Sequence, residues 1–123
     1  MNQAFVFRTK ISEEQLVREY RSAALLLLPV TMATANNSIL ESLACGTPVA
    51  STAVGGIPDY MDESSGWLFP PGEQDAWLAF FERVARCPEM LSVKRGAARA
   101  QAEKFSWPLV GARTLAFYQE IAS

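Results

Sequence analysis

The chain predicts an α/β fold: a small, mainly parallel sheet of about four strands, with a helical C-terminal part. Three observations lead there. Short apolar runs at 5–7, 25–28, 48–52 and 66–69 alternate with segments of helical spacing. The run Leu25 to Leu28 shows no polar alternation, as a strand buried on both faces of a parallel sheet should not. Beyond Pro70-Pro71-Gly72 the pattern is wholly helical.

Taken in order, Phe5 to Phe7 is a short apolar strand. Ser12 to Ser22 reads as a helix opened by the capping box of Ser12 and Gln15, with Leu16, Val17, Tyr20, Ala23 and Ala24 on its buried face. Leu25 to Leu28 forms the next strand, and Pro29 ends it because proline cannot donate to a ladder. Thr34 to Asn37 is polar and turn-prone. Ser38 to Cys45 is a short helix stopped by Gly46 in a left-handed conformation. Pro48 to Thr52 and Gly66 to Phe69 are the remaining strands, separated by the breakers Gly55, Gly56 and Pro58. Asp75 to Arg86 carries Trp77, Leu78, Phe80, Phe81 and Val84 as an apolar stripe, read as core or interface packing, as are Trp107 and Tyr118. One helix is expected from Pro88 to Lys104, and a last one, N-capped by Ser106, to about Ala122.

Composition narrows the chemistry. The chain has 123 residues, enough for a single domain spanning 1–123, and half of them are hydrophobic. A net charge of −2 without a basic cluster argues against nucleic-acid binding. With no histidine, imidazole-ligated zinc and Ser-His or Cys-His catalysis are excluded within the chain. Cys45 and Cys87 have no CxxC spacing and read as small buried hydrophobes. No metal site and no resident cofactor is expected. The longest apolar run, Ala23 to Val30, falls far short of the roughly 20 residues a membrane-spanning helix needs. The N-terminus lacks a secretory pattern, which points to a cytoplasmic protein.

In parallel sheets, ligands bind beyond the carboxyl ends of the strands. That rule singles out Thr9 to Ile11, Val30 to Ser38 and Ala53 to Pro58. The helix after Asn37 offers free N–H groups for a diphosphate. Glu41, one turn further, can accept both hydroxyls of a ribose. Glu41 also stands at capping-box spacing from Ser38, so it can equally cap its own helix. Gly55 and Gly56 either let backbone approach a ligand or simply form a tight turn. Asp62 and Glu63, adjacent in a loop, read as solvated.

At these residues the sequence resembles the retaining glycosyltransferases of the GT-B fold, family 4. Ile39-Leu40-Glu41-Ser42-Leu43-Ala44-Cys45-Gly46-Thr47-Pro48-Val49 is similar to the family's LLEAMACGTPVV signature, and Val54-Gly55-Gly56-Ile57-Pro58-Asp59 to its VGGIPE loop. Phe7 to Leu28, Gly66 to Pro70 and Phe105-Ser106-Trp107 resemble further family segments in the right order. The resemblance implies the second, Rossmann-like, three-layer domain of such an enzyme, which holds a UDP- or GDP-sugar type of donor. It implies that Glu41 binds the ribose, that Asn36, Asn37 and Ser38 meet donor phosphates and sugar, and that Thr9, Lys10 and Ile11 contact the base. Gly55 and Gly56 would form the glycine loop.

Three departures accompany it. The family's earlier glutamate, eight positions before Glu41, falls on Ala33. The strand–helix units that carry the family's phosphate-binding Arg and Lys, and the acceptor domain, have no counterpart in this chain. The sheet is therefore expected to be truncated, with Leu25 to Leu28 left as an apolar edge through which the chain dimerises or swaps strands, or beside which it places its own first strand, Phe5 to Phe7; the other expected partner is a missing N-terminal glycosyltransferase half. The expectation is a donor-binding half that is not competent alone, cytoplasmic or peripheral at the inner membrane face; the competing expectation is a non-catalytic interaction module that keeps the fold but not the ligand.

Overall fold

The computed structural model describes residues 5–33 and 36–122. Helix α1 (Glu13–Ser22) is followed by strand β1 (Leu26–Leu28), helix α2 (Asn37–Ala44), strand β2 (Val49–Thr52), the single turn α3 (Ile57–Tyr60) and strand β3 (Gly66–Phe69). Four helices complete the chain: α4 (Gln74–Arg86), α5 (Glu89–Ser92), α6 (Arg95–Glu103) and α7 (Trp107–Ala122). The strands form one three-stranded sheet in the order β1-β2-β3, parallel throughout, with Leu26 opposite Val49 and Val49 opposite Gly66.

Alternation along the strands builds two cores, one on each face. On one face Leu26, Leu28, Val49 and Leu68 meet Ile39 and Leu43 of α2, Ile57 of α3 and Ala98 of α6. On the other, Leu25, Ala50, Trp67 and Phe69 meet Trp77, Phe80 and Val84 of α4 and Leu91 of α5. This is the three-layer α/β arrangement expected. The second core is an aromatic stack centred on Phe80, 1% exposed, whose ring lies 5.1 Å from Trp67 and 5.4 Å from Phe69. Gly66 begins β3 where only glycine fits: a Cβ there would lie 1.9 Å from the Val49 carbonyl oxygen of the neighbouring strand.

The buried polar groups tie the connections together. The Ser42 hydroxyl donates to the Thr47 carbonyl at 3.0 Å, and the Ser51 hydroxyl to the Leu28 carbonyl at 3.1 Å. Arg95 of α6 donates to the Ala23 and Arg21 carbonyls at 3.0 and 3.1 Å, and Arg99 donates to the Ala44 carbonyl. Both guanidinium groups thus satisfy the last carbonyls of α1 and α2, where a positive charge also complements the helix dipole.

Several expectations are corrected. Phe5 to Phe7 is not a strand; it runs outside the sheet with Phe5 80% and Phe7 92% exposed, so the sheet has three strands rather than about four. An apolar triplet needs a neighbouring ladder to become a strand, and none lies beside it here. β1 is not buried on both faces: Leu27 is 46% exposed, because β1 is an edge. Of the residues assigned to the buried face of α1, Val17 faces solvent, and Ala24 lies beyond the end of the helix, exposed. Of the α4 stripe only Phe80 is fully buried, while Leu78 and Phe81 are exposed. Pro88 to Lys104 is two helices, α5 and α6, parted by a turn at Val93-Lys94. That turn aims the Lys94 ammonium at the Gly66 carbonyl (2.8 Å) and over the Trp67 ring (4.0 Å). Trp107 and Tyr118 are exposed along α7, which buries no residue. Cys45 is half-buried, but Cys87, at the end of α4, is exposed and its thiol donates to Glu89 at 3.2 Å.

Candidate functional site

The loops that leave the carboxyl ends of β1 and β2 meet. Gly56 N–H donates to the Ala33 carbonyl at 3.3 Å. Gly55 has φ +55°, and a Cβ there would stand 1.6 Å from the same oxygen. The glycine loop therefore serves first to seat the β1–α2 loop, closely enough that no side chain fits between them. Thr34 and Ala35, part of the turn-prone stretch expected from the sequence, lie outside the described residues.

Helix α2 starts one residue earlier than its apolar spacing suggests, and this removes the reading of Glu41 as a cap of its own helix. Asn36 is the N-cap: its side-chain oxygen accepts from Ile39 N–H at 3.3 Å. The Ser38–Glu41 capping box does not form. Glu41 lies instead in the middle of α2, exposed, and its Oε2 accepts a hydrogen bond from the Tyr20 phenol of α1 at 3.2 Å. Of the three predicted loop residues, Asn36 spends its side chain on the cap, while Asn37 and Ser38 contribute the first-turn N–H groups, which have no acceptor inside a helix.

Asn37 and Glu41 share the rim of an open groove of about 710 Å³ between α2, α6 and α7. Arg99 and Glu103 of α6, Trp107 of α7 and the edge-to-face pair Tyr60–Phe105 (5.6 Å) complete its wall. The groove thus sets a carboxylate and an amide on α2 against aromatic surface and a guanidinium.

Tyr20 is the residue that sequence reasoning assigned only to packing. Burial pushes its phenol above the usual value, the Ser38 hydroxyl opposes that, and the negative charge of Glu41 adds to it. Its place near the end of a helix, twenty-one residues from Glu41, gave no sequence signal of a shared site. Thr9, Lys10 and Ile11 immediately precede the α1 cap Ser12, whose hydroxyl accepts from Gln15 N–H at 3.1 Å as the spacing predicts. Lys10 takes a positive φ of 52°, uncommon for a residue with a side chain. No hydrogen bond among the described residues links these three to Glu41 or to the glycine loop, so the structure brings together Ser38, Glu41 and Tyr20 and, separately, Ala33 with Gly55 and Gly56.

The chain is similar to known glycosyltransferases in sequence and in fold. A family model described as glycosyl transferases group 1 matches residues 1–86. The chain is 37% identical over 108 residues to a D-inositol 3-phosphate glycosyltransferase of Saccharomonospora viridis, covering 87% of this chain and 25% of that protein. It is 28% identical over 106 residues to a sulfoquinovosyl transferase of Arabidopsis thaliana, covering 83% of this chain and 21% of the relative. Sucrose-phosphate synthase of Thermosynechococcus elongatus superposes with a TM-score of 0.79 at 26% identity, over 96% of this chain and 31% of its own. The chain thus spans about a quarter of the length of the curated relatives it matches. With the expected signature, glycine loop and three-layer sheet all in place, this chain belongs to the group 1 glycosyl transferase family.

Proposed function

We propose that residues 1–123 form one unit, the donor-side half of a retaining, GT-B type glycosyltransferase, and that it binds the nucleoside diphosphate of a nucleotide sugar. Glu41 takes the ribose hydroxyls, the Asn37 and Ser38 amides at the start of α2 take the diphosphate, and the loops at Thr9 to Ile11 and Gly55-Gly56 line the base and sugar. The observation that carries this reading is that Glu41 is exposed at the groove rim and is not consumed in capping its own helix. Transfer requires an acceptor-side half as well, so these 123 residues by themselves bind donor without turning it over. A cytoplasmic place, peripheral at the inner membrane face, belongs to the same proposal; no helix among the described residues is long and apolar enough to cross a membrane.

Calorimetric titration with UDP, GDP and ADP tests it. Saturable binding to at least one, lost in Glu41→Ala by a factor of about 10 or more, is expected, since a charge-assisted pair of hydrogen bonds to a diol disappears. An affinity unchanged in Glu41→Ala sinks the assignment.

A second reading, that the chain is an interaction module, is favoured by one observation. The free edge of β1 runs beside an apolar groove of about 340 Å³, lined by Leu27, Pro29, Trp77, Leu78 and Phe81. Unpaired strand edges flanked by apolar surface recruit another strand. The proposed occupant is a second copy of this chain, with a separate N-terminal half as the alternative. Leu27→Lys places a charge on that edge, and it is expected to shift the chain from dimer to monomer in light scattering. A wild-type monomer at every concentration reached rules out the second copy.

A further inference from the structure

A glutamate side chain has three rotatable bonds, and an exposed one samples many orientations unless something holds it. Glu41 is held at one oxygen, by the Tyr20 phenol at 3.2 Å. The phenol is itself well anchored. Its own backbone carbonyl accepts from the buried Thr47 hydroxyl at 2.5 Å, and the Thr47 carbonyl accepts from Ser42 of α2 at 3.0 Å. The carbonyls of Arg21 and Ala23, just beyond it, are fixed by Arg95. Tyr20 is thus fastened to α2 through the Thr47 turn and to α6 through Arg95, and its ring spans from α1 to Glu41.

We infer that Tyr20 is a positioning residue for Glu41, locking the carboxylate in the orientation that accepts a ribose diol. The inference rests on the ribose reading of Glu41. The stereochemistry is suited to it. An ionised carboxylate offers about four lone-pair sites over two oxygens. Tyr20 occupies one on Oε2, leaving Oε1 and the second site on Oε2 for two vicinal hydroxyls. Burial, with the Glu41 charge adding to it, keeps the phenol protonated and therefore a donor at neutral pH. A phenylalanine would fill the same space, so the hydroxyl matters only for what it touches: Glu41, with the Ser38 hydroxyl close beside it.

The test separates positioning from packing by using nucleotides with and without the diol. UDP, GDP and ADP, and their 2′,3′-dideoxy counterparts, are titrated into wild type, Tyr20→Phe and Glu41→Gln. Wild type is expected to prefer the ribonucleotide it binds. Tyr20→Phe is expected to weaken that ribonucleotide about fivefold and leave the dideoxy form unchanged, because one bond to a charged acceptor is lost. Glu41→Gln removes the preference. A parallel loss for both nucleotides, or no loss at all, in Tyr20→Phe overturns the positioning role while leaving the Glu41 reading intact. A preference that survives Glu41→Gln, or no binding to any of the six compounds, overturns both.

Discussion

Gly66→Ala is expected to lower the stability of the chain by about 3 kcal/mol, at the upper end of the overpacking range. The added methyl would sit 1.9 Å from the Val49 carbonyl oxygen and 2.8 Å from the Met61 methyl. The thioether tip can move; the carbonyl cannot, because Val49 and Ala50 lie in the central strand and are buried completely. Relief requires β3 to draw away from β2, which breaks the register from Val49–Gly66 to Thr52–Phe69. It also moves the Gly66 carbonyl away from Lys94. In urea, where a chain this size loses about 1–3 kcal/mol per molar denaturant, the midpoint should fall by about 1–3 M. A midpoint within error of wild type would falsify the account of close strand approach.

Phe80→Ala has the second large effect, about 3–5 kcal/mol, and the adjacent residue Phe81, turned toward a different surface, supplies the control. Phe80 is 1% exposed, and its removal leaves a cavity bounded by Trp67, Phe69 and Phe81 that rigid strands cannot close. Phe81, 42% exposed, lines the apolar groove beside β1 instead. Phe81→Ala should therefore cost about 1 kcal/mol of the burial energy of a half-covered ring and act on association. Thermal melts of the two variants separate them. Comparable losses in both would mean that the aromatic stack is not centred where the ring distances place it.

The sequence was most legible where local chemistry alone decides. Ser12 caps α1 as its spacing to Gln15 requires. Gly46 takes a left-handed φ of 76° and stops α2. The three strands that pair were all readable, since each is an apolar run closed by a breaker. Legibility failed where a neighbour was needed. Phe5 to Phe7 has the composition of a strand, but pairing is a property of two segments, and no partner strand stands beside it. The last helix was readable from its cap, but not what packs on it, and among the described residues it buries none of its own. In the candidate site, Ser38 and Glu41 have the spacing of a capping box, yet a better cap two residues earlier, Asn36, took the N-terminus and left the carboxylate to the Tyr20 phenol. The Tyr20–Glu41 contact, the long-range bonds of Arg95 and Arg99 and the turn that aims Lys94 are tertiary, so single-sequence periodicity could not announce them.

The arginines of α6 carry an implication for how the chain matures on the ribosome. Arg95 completes α1 across 72 and 74 residues of intervening sequence, and Arg99 completes α2 across 55. At about 5–20 residues per second, those separations correspond to roughly 3–15 s of translation. During that interval the last carbonyls of the two early helices have only water for partners. Setting of the two helices already made is then postponed until α6 has been synthesised.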